Sequence, residues 1–229
     1  MNSNQLSVVM LGASGAVGTH VAQTLQNNKD IKRLTLLGRT AISSLTASSV
    51  RQYKVDIFDV SSYEEYIPEH TVAICTLGVG EPSKMSKEEF IKIDKIAVRD
   101  FAVACKTVGV SHFELLASVG INSKSSSFYL KTKGELVEEL KALNFERLSI
   151  FQPSMILTPS NRYGISQAII LKIWPLLKPL LLGSLKKYRG IPVEVLGRSM
   201  ALNIFESKSG HEILQWDDFY AIGKDKTKV

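Results

Sequence analysis

Apolar residues along this chain gather into short runs, and the stretches between the runs carry helical spacing. The segments Ser7–Leu11, Leu34–Gly38, Val50–Ile57, Val72–Leu77, His112–Ala117 and Leu148–Phe151 read as strands. Continuous apolar runs such as Val8 to Leu11 mark strands covered on both faces, which is the pattern of a parallel sheet. Helical periodicity lies between them, notably over Val17–Gln26, Lys87–Thr107 and Tyr129–Leu143. The last of these contains Gly134, which a helix tolerates at a cost of about 1 kcal/mol. Alternation of this kind predicts βαβ units, hence an α/β fold with a doubly wound parallel sheet and its ligand at the carboxyl edge of the strands. No Pro, Gly or Ser-rich linker divides the chain and no repeat occurs, so residues 1–229 read as one domain, with 158–229 as a C-terminal substrate-side portion.

One junction in this pattern carries chemistry. The run Val8–Leu11 empties into Gly12-Ala13-Ser14-Gly15-Ala16-Val17-Gly18, and a helix follows at once. Glycines at this spacing serve tight turning, close backbone approach to a pyrophosphate and close packing of helix on strand, as in a Rossmann-type nucleotide site. The first amides of the helix then face phosphate charge. The bland alternative is a structural turn. Position favours a dinucleotide.

Composition narrows the class. The chain has 229 residues, 45% hydrophobic, enough for a substantial core and against disorder. Met1–Gln5 offers no charged leader before an apolar stretch, so no signal peptide is expected. Cys75 and Cys105 are the only cysteines, with no metal-ligand spacing, which suits a reducing cytoplasm and core-filling thiols. His20, His70, His112 and His211 are scattered and read as structural. Glu64-Glu65 and Asp217-Asp218 read as solvated helix starts rather than paired catalytic carboxylates.

Net charge is +6, and it is unevenly spread. Arg147, Arg162, Lys172, Lys178, Lys186, Lys187 and Arg189 fall in a stretch ending at Val193 that holds no acidic residue. Such a stretch suits an anionic cofactor or substrate, or else solvated lysines on an outer helix. It lacks the interleaved aromatics of a nucleic-acid module, so no nucleic acid is expected. Within it, Ile165–Leu185 is strongly apolar, but Lys172, Lys178 and two prolines interrupt it. A spanning helix needs about 20 mostly apolar residues, so this segment does not span. A substrate-covering helix pair is the first reading. A peripheral membrane contact or a subunit interface is the second, and monomer or dimer stays open.

Tyr129 and Lys133 stand four residues apart, on one face of a helix. A nearby ammonium favours phenolate and draws a tyrosine down from its usual pKa of about 10, as proton transfer in carbonyl reduction or alcohol oxidation requires. Their plain alternative is an exposed helix pair. Ser118 ends the fifth strand eleven residues before Tyr129, where both hydroxyls can reach one substrate oxygen. It could instead merely cap the strand end.

With these residues in place the chain resembles the short-chain dehydrogenase/reductase family, as an atypical member of the Tat-interacting-protein-like (metastasis-suppressor) oxidoreductases. The resemblance rests on the glycine loop, Leu37-Gly38-Arg39, Val55-Asp56, Cys75-Thr76-Leu77-Gly78, Ser118, Tyr129 to Gly134 and Phe151-Gln152-Pro153. It implies a catalytic set of Ser118, Tyr129 and Lys133, with Lys133 also on the nicotinamide ribose. It further implies Asp56 and Ile57 beside the adenine, Leu77 and Gly78 against a ribose, and Pro153 near the carboxamide, although Pro153 could equally be a strand terminator. Where many members carry asparagine on the fourth helix, the nearest match here is Asp94. An NAD-selective site has a carboxylate after the second strand; here Arg39 stands there and can pair with a 2′-phosphate, so NADP(H) is expected over NAD(H). The family also contains cofactor-binding regulators. A cofactor-sensing interaction protein is therefore the alternative to an enzyme.

Overall fold

Seven parallel strands form the centre of the protein in the computed structural model, which describes residues 5–80, 84–159 and 181–224. In chain order they are β1 (Leu6–Leu11), β2 (Ile31–Gly38), β3 (Val50–Lys54), β4 (Val72–Cys75), β5 (His112–Leu116), β6 (Arg147–Phe151) and β9 (Gly210–Leu214). Their order across the sheet is β3-β2-β1-β4-β5-β6-β9. A two-residue pair, β7 (Ile156–Leu157) and β8 (Ile191–Pro192), stands apart. Parallel neighbours need long crossovers; helices α1 (Ala16–Gln26), α2 (Lys87–Ile91), α3 (Val98–Thr107), α4 (Phe128–Ala142) and α5 (Val193–Asn203) supply most of them, β2 to β4 run through loops and short turns, and α6 (Trp216–Gly223) follows the last strand.

Apolar side chains alternate across the central strands and so feed two cores. Val8, Met10, Leu34 and Ile74 pack against α1, α5 and α6 on one face. Val9, Leu11, Leu37 and Cys75 pack against α3 and α4 on the other. From β1 the chain builds outward first through β2 and β3, then returns to add β4, β5 and β6 on the opposite side. That reversal leaves a crevice between the carboxyl ends of β1 and β4, where sheets of this type bind ligands. The doubly wound Rossmann-type α/β fold expected from the sequence is the fold found.

Three local expectations change. The third strand stops at Lys54, and Val55 to Ile57 turn away beneath the sheet edge, held by Val55 N–H on the Gly38 carbonyl. The helix expected over Lys87–Thr107 is continuous but contains a π turn at Lys92–Ala97, between α2 and α3. Arg147, counted in the basic stretch, is 4% exposed and bonded into the core rather than contributing an outward charge. Of the other basic residues, Lys186 reaches Asp217 at 3.3 Å and Arg189 lies over the Trp216 ring at 4.9 Å. Arg162, Lys172, Lys178 and residues 165–180 of the apolar segment lie outside the described residues, as does most of the expected helix pair. Among the described residues no helix is long and apolar enough to cross a membrane.

Candidate functional site

The glycine loop closes over the end of β4. Gly12 has φ of 92°, and a Cβ there would sit 2.5 Å from the Leu77 amide nitrogen. Gly15 N–H donates to the Gly12 carbonyl at 3.0 Å, and Thr76 Oγ donates to the same oxygen at 2.9 Å. A Cβ on Gly18 would strike that carbonyl and the Thr76 hydroxyl. The loop is therefore pressed onto Thr76, and only glycine fits. Ser14 is exposed, whereas Val17 turns into the core and leaves Ala16 and Val17 to offer backbone. Gly15 caps α1 without a side chain, and the first turn holds no acidic residue. The opening amides of α1 are thus left to an anion, so the loop fits a dinucleotide pyrophosphate.

Beside this loop, a cleft of about 130 Å³ lies over the ends of β2 and β3, lined by Ser14, Gly38, Thr40, Gln52 and Lys54 among others, none of them acidic. Arg39 is exposed between Gly38 and Thr40. Lys54 is the register partner of Gly38, so a second cation joins Arg39 at this edge. Spacing gives no hint of it, since only the β2–β3 pairing brings residues 38 and 54 together. Asp56 is exposed and turns one oxygen back onto the Phe58 amide at 2.9 Å. Ile57 is 5% exposed and belongs to the core beside Val55.

Across the crevice, the chain leaving β5 is stitched to the extension of β6. Ala117 N–H donates to the Phe151 carbonyl at 2.8 Å, and Val119 N–H to that of Pro153 at 2.9 Å. Ser118 stands half-buried between these bonds, at the carboxyl edge. Pro153 is buried and acts here through its carbonyl. The loop then folds back over α4, where a Cβ on Gly134 would strike the Asn122–Ser123 backbone. That close approach is why α4 carries a glycine. It lets the strand end and the helix start sit together, with Asn122 N–H on the Leu130 carbonyl.

Tyr129 occupies the first turn of α4, its ring tilted against Phe90 with centroids 5.5 Å apart. One turn on, Lys133 Nζ lies 5.6 Å from the Tyr129 ring centroid. It also makes a 2.6 Å ion pair with Asp94 Oδ1, and Asp94 is 1% exposed. Asp94 Oδ2 accepts from the Val79 amide at 2.8 Å, and Gly78 leaves space in which a Cβ would lie 3.2 Å from Oδ1. Burial alone lowers the pKa of the Lys133 ammonium, but Asp94 and Tyr129 outweigh it and hold the group above the ordinary lysine value. Lys133 is therefore a fully charged, nearly dry cation beside a phenol. Chemically, such a pair can stabilise a tyrosine anion during proton transfer and donate to neutral oxygens.

Other histidine, cysteine and acidic side chains are core or helix-start groups. His70 is buried, bridging the Ile67 carbonyl and Thr35 Oγ at 2.8 Å each. Cys75 and Cys105 are fully buried free thiols, and burial pushes Cys75 up to about 12. Asp218 caps α6 and Glu64-Glu65 open an exposed turn, as expected.

Comparison with known proteins agrees with this geometry. A protein family described as NAD(P)H-binding matches residues 12–146, from the glycine loop to the end of α4 and the turn beyond. The chain belongs to this family. Protein HTATIP2 of Rattus norvegicus is 29% identical over 223 residues, covering 96% of this chain and 90% of that one. Protein FMP52, mitochondrial, of Lodderomyces elongisporus is 31% identical over 163 residues, 68% of each chain. The resemblance to the Tat-interacting-protein group is borne out. Among solved structures, MoeE5 in complex with UDP-glucuronic acid and NAD superposes with a TM-score of 0.71 at 16% identity, over 91% of this chain and 75% of that one. The UDP-glucuronic acid 4-epimerase of Bacillus cereus in complex with NAD gives 0.69 at 15% identity, over 92% and 78%. At such identities the likeness is one of fold.

Proposed function

We propose that this protein is an NADP(H)-dependent oxidoreductase of the short-chain dehydrogenase/reductase type, acting on a carbonyl or alcohol of a small apolar or anionic molecule. The observation that carries the reading is the buried Lys133 ammonium beside Tyr129, next to the Leu77–Gly78 segment on which the glycine loop packs. A bound nicotinamide would supply or accept the hydride. In the reducing direction the Tyr129 hydroxyl gives its proton to the substrate oxygen as carbon gains the hydride, and in the oxidising direction it takes that proton back. Ser118 donates a hydrogen bond to the same oxygen. Lys133 stabilises the phenolate left on Tyr129 and reaches the ribose hydroxyls. Gly12, Gly15 and Gly18 would admit the pyrophosphate to the amides of Ser14 to Val17, with Leu77 and Gly78 along the ribose. Arg39 and Lys54, with no carboxylate lining the cleft between them, favour a 2′-phosphate over a bare hydroxyl.

Free buried thiols suit a cytoplasmic protein, while fungal relatives are named mitochondrial, and cell fractionation separates the two. Function is tested by calorimetric titration with NADPH and NADH, followed by turnover on a panel of carbonyl compounds with wild type and Tyr129→Phe. We expect tighter binding of NADPH than NADH, retained in Tyr129→Phe, with turnover reduced by about a hundredfold or more. Full turnover by Tyr129→Phe would remove the acid/base role. Binding without turnover on any carbonyl would leave a cofactor-sensing protein.

A further inference from the structure

Asp94 is buried, charged and placed on an irregular turn, three features that are rare together. Acidic residues are seldom fully buried unless paired, and π turns inside helices gather at functional sites. Here the π turn Lys92–Ala97 points Asp94 at Lys133 while its neighbour Lys95 reaches Glu135 at 2.8 Å and Glu139 at 3.1 Å. Lys95 with its two glutamates is a partly exposed staple between the turn and α4, and it already ties the two elements. Asp94 is not needed for that tie. Its own contacts run instead to the Lys133 ammonium and to the Val79 amide in the loop leaving β4, with Gly78 making room beside it.

We propose that Asp94 is a positioning residue: it fixes Lys133 beside Tyr129 and joins it to the Gly78–Val79 loop, so that lysine and loop meet a nucleotide ribose as one unit. The inference rests on the reading of the crevice as a nicotinamide-nucleotide site. The groups facing Lys133 are Asp94 from the π turn, Tyr129 from its own helix and Cys75 from β4. Of these Asp94 makes the ion pair with the ammonium, while burial pushes the Cys75 thiol up to about 12. An ammonium this deeply buried holds its proton only while a counter-charge offsets the lost hydration. Asparagine at 94 would still accept from Val79, yet would leave Lys133 with no anion.

The test follows the proton on Lys133 directly. Full-length protein carrying ¹³C at lysine Cε is titrated between about pH 7 and about pH 10, with the Lys133 signal assigned by its loss in Lys133→Arg. Wild type and Asp94→Glu, which retains a carboxylate, should stay at the ammonium position over this range. Asp94→Asn should move to the free amine with a midpoint lower by about one unit or more. Thermal melts of each variant establish that it is folded. Coincident titration of wild type and Asp94→Asn would overturn the proposal, as would an equal shift in Asp94→Glu. Because no nucleotide is present, failure of NADPH and NADH to bind would sink the functional reading and leave this result standing.

Discussion

Two buried ionic clusters among the described residues, one around Arg147 and one around Lys133, are built on opposite plans. Arg147, at the start of β6, spends all five of its N–H donors inside the protein. They reach Glu212 Oε1 at 2.9 and 2.6 Å, the Asn203 and Glu206 carbonyls at 2.9 and 2.7 Å, and Asn203 Oδ1 at 2.8 Å. Around it Ser149 bonds Glu212 and His112, Asn203 bonds Glu114, and Glu212 also meets Lys208 at 3.5 Å at the rim. Lys133, at the carboxyl edge, has three donors and, among the described residues, one anionic partner. An arginine with every donor spent on protein partners can only hold elements together, here β5, β6 and β9 with α5, although Glu114 Oε2 beside it is buried without a hydrogen-bond partner. A cluster with donors to spare at the ligand edge is built to meet something else.

The contrast is broken most forcefully at Arg147. Arg147→Met keeps volume but leaves Glu212 with only the more distant Lys208 and strands Asn203 Oδ1 and the Asn203 and Glu206 carbonyls without their donor, and removing one partner of a buried ionic group costs about 3–5 kcal/mol. A calorimetric melt should fall by on the order of 10 °C. Folded Arg147→Met should bind NADPH as wild type does, since no member of its network reaches the crevice. A melt within a degree or two of wild type would show that the network is ornamental to stability.

A smaller effect separates local preference from packing beside the open cluster. Alanine is the better helix former by about 1 kcal/mol, so α4 taken alone would gain from Gly134→Ala. The added methyl must instead displace the Asn122–Ser123 backbone, and overpacking of this kind costs about 1–3 kcal/mol. We expect a net loss of stability and, on the proposed function, a fall in turnover, because the displaced loop carries Ser118, the proposed donor to the substrate oxygen. A raised melting temperature with unchanged turnover would mean that the loop yields freely.

These two sites also mark what was legible in the chain. The glycine loop was readable because strand, glycines and helix lie within about twenty consecutive residues, where local rules act. Tyr129 and Lys133 were readable for the same reason, one helical turn apart. The Asp94–Lys133 pair was not, because 39 residues separate the partners and the π turn that aims Asp94 leaves no trace in periodicity. Lys54 became part of the crevice only through strand register. Arg147 looked like one more charge in a basic stretch, and its burial depends on Glu212, Asn203 and Glu206 arriving from later in the chain. β9 is absent from the strands the apolar pattern predicts because it is an edge strand with only Leu214 fully buried.

The least effect, and the most specific, concerns protons in the Arg147 network. Burial raises Glu114 to about 8, while burial and then Arg147 lower His112 to about 3. Both groups are thus neutral near pH 6, although His112 Nε2 stands 3.7 Å from Glu114 Oε1. A carboxyl raised on folding binds more protons folded than unfolded, so its contribution is full below the unfolded value of 4.5 and is lost as pH rises through about 8. A histidine lowered on folding does the reverse, and its contribution is lost as pH falls from 6.5 toward about 3. Between 6.5 and about 8 only Glu114 of this pair still changes, which isolates it. Glu114→Gln keeps an oxygen for the Asn203 amide and replaces a protonated carboxyl by a group that cannot ionise. The melting temperature of wild type should therefore decline more steeply over that window than that of Glu114→Gln. Parallel curves would mean that Glu114 is already ionised at neutral pH and that Arg147, not protonation, balances its charge.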